Sequence, residues 1–383
     1  MSVPHYSHSY RFDNFLEETS NLLRKSKASL YFHIIFSTEA VWKDMPVMME
    51  EYSQDGRRHW EVGLLKTQQE DFYILQFVRK NDENEKHSFF WKIMKKGERI
   101  TILSFSLEKF RFVQSCLNTF VNSSNMEFPW LGSAFLENLD DFIKSTFGAD
   151  ANVEYNKIYY DLEPIGGKGK SQPNLVFSPL SKEQILKKKQ DEHKNSHKFL
   201  YIRWMKVRVF WKEELFNFSI SDKGQILFEK GNLIRFLELV NALRNMSALY
   251  RSMAEKHFLV NVNTISLDEG KKADVRIIQQ LEVLKLNIIN PMTENWYENF
   301  TNLFSIPFKP EENLMNFVLM KGNPYFLAQV IDIEKGGSGV YLSATENSIR
   351  ISPSSETTKI STVLKVVEAV QKYVDPSITI AGA

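Results

Sequence analysis

Three places in this sequence set reactive or charged residue types at spacings that chemistry uses. The first is PIGGKGKS, Pro164 to Ser171. A phosphate-binding loop sets Gly, four residues and then Gly-Lys-Ser or Gly-Lys-Thr directly before a helix, so that backbone N–H groups and the lysine cradle phosphates. Gly169, Lys170 and Ser171 fit the end of that pattern, but Pro164 holds the first glycine position. Pro173 and Pro179 oppose the helix that must follow, because proline lacks the N–H and clashes with the preceding turn. A flexible basic loop is the better account. The second place is His193 with His197, four apart as two ligands on one helix face would be. Lys194 stands where a zinc protease carries its glutamate, and a cationic neighbourhood disfavours a divalent ion. Solvated histidines are expected there, and no metal.

The third place is YIRWMKVRVFWK, Tyr201 to Lys212. Read with a period of two, one face holds Ile202, Trp204, Lys206, Arg208, Phe210 and Lys212, and the other Tyr201, Arg203, Met205, Val207, Val209 and Trp211. The second face suits a core. The first alternates large aromatics with cations, the combination that stacks bases and neutralises phosphates. A structural alternative stays open, in which Trp204 and Phe210 pack under another element while the cations snorkel. A weaker counterpart lies earlier, where Trp91, Lys92 and Lys95 fall in the run HSFFWKIMK.

These residues need elements to carry them, and the order of elements recurs. Glu98–Val121, Gly224–Asn245 and Asn347–Val374 each read as a short alternating strand, a polar break and an amphipathic helix. Their strands begin at Ile100, Ile226 and Ile349, which are 126 and 123 residues apart. Near-equal spacing is what an internal repeat leaves once its letters have diverged. Further alternating runs precede each pair, joined by turns such as SDKG, EKGGSG and TENS. The expected fold is therefore α+β, a repeated antiparallel β-meander followed by one helix, in three units. The expected boundaries are a helical extension over 1–28, units over 29–150, 151–256 and 257–383, and a flexible insertion at 164–198. That insertion carries eight lysines, Lys187, Lys188 and Lys189 among them, against Glu183, Asp191 and Glu192. Ser106, Asn232 and Ser355 are the expected helix caps. Further helices are expected over Tyr10–Lys25, Ser133–Phe147 and Lys271–Ile289.

Composition narrows the classes. With 48 Lys and Arg against 47 Asp and Glu the net charge is +1, which excludes binding by sheer cationic excess. A local basic patch remains possible. Cys116 is the single cysteine, so neither an internal disulfide nor a cysteine-rich metal site can form. It falls in an apolar helical stripe and reads as a small buried thiol. Neither a signal peptide nor a membrane span is read in the sequence, and an intracellular location, nucleus or cytoplasm, is expected. No nucleophile elbow, dinucleotide fingerprint or distinctive carboxylate pair occurs, so neither catalysis nor a cofactor is expected.

A meander closed by one helix, repeated along the chain, resembles the PUR-repeat family and the related Whirly-type fold. The residues carrying the likeness are Gly224 to Phe228 followed by Leu233 to Phe236, with Phe236 at the aromatic position of the helix. Arg99 to Ile102 with Phe110 is similar, while Ser354 to Ile360 departs more. The resemblance lies in element order and implies single-stranded DNA or RNA as partner. It also implies two units interlocked in one domain and a third that either pairs with its copy in a homodimer or caps the first two. The binding residues expected from the sequence itself are Trp204, Lys206, Arg208, Phe210 and Lys212, then Trp91, Lys92 and Lys95, then Lys187, Lys188 and Lys189. The alternative, of another class, is a protein-interaction or scaffold module of pleckstrin-like sheet-plus-helix build without nucleic acid.

Overall fold

The structure is a computed structural model. It describes residues 9–381 except 26–27, 55–58, 81–84, 97–98, 108–109, 125, 130, 165–171, 178–183, 185–186, 188–197, 257–259, 267–273, 282, 289–295, 310–313, 323–324, 334–337, 356–357 and 376–377. The architecture is mixed α+β with two large antiparallel sheets.

The first part of the chain runs α1 (Phe12–Lys25), β1 (Leu30–Thr38), α2 (Glu39–Lys43), α3 (Met45–Gln54), β2 (Trp60–Lys66), β3 (Phe72–Arg79), β4 (Glu85–Lys96) and β5 (Arg99–Ser106). A helical run follows, with α4 (Phe110–Phe112), a π-helical turn (Val113–Leu117) and α5 (Asn118–Ser123). Next come α6 (Gly132–Glu137), α7 (Leu139–Phe147), β6 (Asn152–Pro164), β7 (Gln172–Phe177), β8 (Lys198–Trp211), β9 (Glu214–Ser221), β10 (Gln225–Lys230) and α8 (Leu233–Lys256). These ten strands form one sheet in the order β2-β3-β4-β5-β1-β10-β9-β8-β6-β7. Its seam is the antiparallel pair β1–β10, which sets Phe32 opposite Ile226 and Leu30 opposite Phe228.

The seam lets one core run under both halves. Phe32 and Ile34 of β1, Phe105 of β5, Phe218 and Ile220 of β9, and Met205 and Val207 of β8 are all buried in it. Residues of α1, α6, α7 and α8 close that face. The opposite face of the first half is closed too, where Ile35, Phe77, Phe90 and Ile102 pack against Trp42, Met49, Tyr52 and Phe120. Strands buried on both faces lose the polar–apolar alternation, as SFFW and ITILSF do. Buried Cys116 belongs to this second core, as expected from its stripe.

The last part holds β11 (Val260–Ser266), β12 (Asp274–Leu281), β13 (Leu284–Asn287), α9 (Trp296–Phe304), β14 (Phe308–Lys309), β15 (Leu314–Lys321), β16 (Phe326–Asp332), β17 (Ser338–Thr345), β18 (Ser348–Pro353), α10 (Ile360–Tyr373) and β19 (Thr379–Ile380). Its seven-stranded sheet runs β14-β15-β16-β17-β18-β13-β19, and β11 with β12 forms a separate hairpin. Ala328, Val330, Val340, Leu342, Ile349 and Ile351 meet Val363, Val367 and Val370 of α10 in the core.

Several local expectations change. The helix expected over Lys271–Ile289 is replaced by β12 and β13, and buried Leu284 and Leu286 alternate with exposed Lys285 and Asn287. That period of two, with Val275, Ile277 and Ile278 in β12, outweighs the weaker helical stripe. The segment expected as a flexible insertion contains β7, paired antiparallel to β6. Asn232 caps α8 as expected, accepting from the Ile234 and Arg235 amides. Ser106 instead donates to the carbonyl of His87, and α10 begins after Lys359 with its cap beyond Ser355. The SDKG turn joins β9 to β10, with Gly224 at φ +67 and Pro129 where a Cβ would stand.

Candidate nucleic-acid interface

β8 is a long strand whose inner residues Met205, Val207 and Val209 are fully buried in the shared core. Period-two geometry then sends Trp204, Lys206, Arg208 and Phe210 to the other face. This is the face that α2, α3 and α5 cover in the first half of the sheet. No buried apolar cluster covers it over β8–β10 among the described residues. Trp204, Lys206 and Arg208 are half-buried, and Phe210 is 40% exposed.

The neighbours of each residue follow from register. Tyr159 lies opposite Trp204 on β6, and their rings meet edge to face with centroids 4.7 Å apart. Ser219 lies opposite Lys206 and Asn217 opposite Arg208 on β9. Lys206 pairs with Glu229 of β10, so this ion pair reaches across β9. Arg208 pairs with Glu154 of β6 at 3.7 Å. The Ser219 hydroxyl, the Asn217 side-chain carbonyl and Arg208 Nε are buried without a hydrogen-bond partner in the protein. The face thus combines three aromatic rings, three cations once Lys157 is counted opposite Lys206, and polar atoms that remain to be satisfied.

Two members of the expected face lie elsewhere. The register of β6 and β8 shifts between Tyr159 and Tyr160, where Trp204 is followed in the pairing by Ile202. The extra residue is Arg203, and the bulge turns Ile202, 1% exposed, into the core. Arg203 contacts Asp222 at 3.2 Å and Glu368 of α10 at 3.5 Å. It joins the middle of β8 to the C-terminal part of the molecule. Burial pushes the Asp222 carboxyl above the usual carboxylate range, Glu368 adds to the rise, and Arg203 opposes it. Lys212 sits in the β8–β9 turn with Glu213, both at positive φ, and its ammonium lies 4.6 Å from the Trp211 ring centroid. A tight hairpin asks for positive φ at both central residues, which places Lys212 beyond the strand face.

The counterpart in the first half is divided between two covered faces. The Trp91 ring is stacked on Phe12 of α1 with centroids 3.8 Å apart. Lys92 points the other way, to Glu39 at 3.3 Å and Asp71 at 3.0 Å, and these carboxylates outweigh desolvation and hold its ammonium charged more firmly than usual. The side chain of Lys95 lies outside the described residues. Lys187 is exposed, while Lys188 and Lys189 lie outside the described residues, as do His193 and His197. No group of His, Cys, Asp and Glu suited to a metal ion occurs among the described residues.

Sequence reasoning passed over Tyr159, Asn217, Ser219 and Glu229. The alternation of NKIYYDLE and LFNFSIS was the available signal, because it fixes which residues share a face once the strands pair.

No protein-family model matches the chain, and no curated protein matches its sequence. Among solved structures, the crystal structure of DynU16, from the dynemicin biosynthetic locus, is 9% identical. It covers 59% of this chain and 98% of its own, with a TM-score of 0.18, too low to bear on fold or function. No described helix is long and apolar enough to cross a membrane.

Proposed function

We propose that this protein binds single-stranded DNA or RNA on the outer face of β8, by stacking and phosphate contacts, without catalysis or a cofactor. One observation carries the reading: among the described residues no buried apolar cluster closes the outer face of β8–β10, where the same face of β1–β5 is closed by helices, and Phe210 there is 40% exposed. Trp204 with Tyr159 would receive a base at one end and Phe210 at the other, about 20 Å apart at the rise of an extended strand. Lys206 and Arg208 lie between them, where phosphates would pass. Lys187, Lys188 and Lys189 would add electrostatic attraction.

The likeness to PUR and Whirly repeats belongs to the same proposal. What supports it is that strands ending in β5, β10 and β18 each lead into a helical segment. A homodimer through the C-terminal sheet, and an intracellular location, also belong here. The dimer is supported by β15, whose Phe317, Val318, Leu319 and Met320 are all exposed. The same exposed strand favours the second reading, a protein-interaction module, in which it would pair with another chain.

Fluorescence anisotropy with labelled single strands tests the proposal. Trp204→Leu keeps apolar bulk but removes most of the stacking, and is expected to weaken binding by about 1–3 kcal/mol. Duplex is expected to bind more weakly. Equal binding by Trp204→Leu, Phe210→Leu and the parent protein would reject the face.

A further inference from the structure

The ion pair of Lys206 with Glu229 has an unusual position. Lys206 is on β8 and Glu229 on β10, so the pair spans β9 above Ser219, midway along the face. Both side chains are a little over one quarter exposed, so water and salt reach the pair. Glu154 stands against Arg208 one step along, from the other flank. Lys206 and Arg208, the two cations of β8 on this face, are therefore each already matched to a carboxylate of another strand. A carboxylate and a phosphate oxygen make the same kind of contact with a lysine or arginine, and they compete for it.

We propose that Glu229, with Glu154 in a lesser role, acts as a built-in competitor that single-stranded nucleic acid must displace from Lys206 and Arg208. This rests on the function proposed above and concerns how that site is regulated. Displacement sets affinity in two ways. The ligand must break a protein ion pair for each phosphate seated, which lowers affinity. It also lowers the net release of counterions, because the freed Glu229 carboxylate gathers cations from solution as the seated phosphate sheds its own. The slope of log affinity against log salt then stays shallower than the number of contacted phosphates implies. Asn217 and Ser219, beneath the pair, gain access to the ligand once Glu229 swings away. The outcome is a face that resists incidental polyanions yet binds a strand able to stack at both ends.

Glu229→Gln separates this from a merely structural role. It keeps size and hydrogen bonding but removes the competing charge. Binding of a labelled single strand by the full chain is expected to tighten about two- to fivefold, the scale of an exposed ion pair. The salt slope is expected to steepen by about 0.7, one released counterion on a single strand. Glu154→Gln should act in the same direction and less, since its pair is longer and more exposed. Glu214→Gln is the control, because it changes net charge equally while Glu214 pairs with Arg235 of α8 on the opposite face. Tightening and a steeper slope in Glu229→Gln but not in Glu214→Gln support the proposal. Binding by the parent protein with Glu229→Gln and Glu214→Gln indistinguishable overturns it and leaves the binding face standing. Absence of binding by the parent protein and by every variant overturns both.

Discussion

The two halves of the ten-stranded sheet are built from similar strands and treated differently by the rest of the chain. In β1–β5 both faces are dry, with Phe105 and Phe89 toward one core and Phe77 and Phe90 toward the other. In β8–β10 the inner face is equally dry, while the outer face keeps Trp204, Phe210, Lys206 and Arg208 at least partly open. Aromatic content does not separate the halves. Trp91 has Phe12 stacked on it and Lys92 has two carboxylates and the Trp42 ring near it, so an aromatic–cation pattern there serves packing. What separates them is which helices arrive. The chain between β1 and β2 folds α2 and α3 over the first half. Between β6 and β8 the described residues add the edge strand β7.

The sharpest way to break this comparison is to truncate one ring from each half. Phe77 is fully buried against Phe112 and Phe120, and Phe77→Ala is expected to cost about 3–5 kcal/mol in denaturant unfolding. Phe210→Ala should stay within about 1 kcal/mol, because its ring already meets solvent. Equal losses would mean that the second face is covered in solution.

A smaller effect comes from His33, which lies near Phe128 on the covered side with neither ring nitrogen bonded in the protein. Burial pushes its pKa down from 6.5 to about 3. Between those values the unfolded chain takes up a proton that the folded protein refuses, so stability is full above about pH 6.5 and falls as pH drops toward 3. The loss grows by roughly 1.4 kcal/mol per pH unit, about 2 kcal/mol at pH 5. Unfolding of His33→Leu followed from pH 7 to 5 should lack this component. An unchanged slope would show that His33 is protonated or hydrated in the folded state.

The sequence carried this comparison only in part. The alternation of WMKVRVF is local, so the face of β8 was legible before any partner strand was known. The helical stripes over Leu233–Leu243 and Ile360–Val374 were legible for the same reason, as was the Asn232 cap. Non-local events were not. Nothing near Trp91 announces that Phe12 will stack on it, and nothing in β10 announces pairing with β1, almost two hundred residues away in the chain. The Arg203 bulge is equally silent, since it exists only relative to β6. Lys271–Ile289 was misread because short apolar runs fit both periods until their neighbours decide between them.

The central claim is that bases rest on the open half of the sheet and not on the covered half. Photo-crosslinking a single strand carrying 5-iodouracil to the full-length chain, then mapping the attached peptides by mass spectrometry, tests it most directly. The account predicts adducts at Trp204, Tyr159 or Phe210, lost on addition of unlabelled single strand. Adducts confined to the C-terminal sheet around Phe317 and Tyr341, or none at any strand concentration, would contradict it.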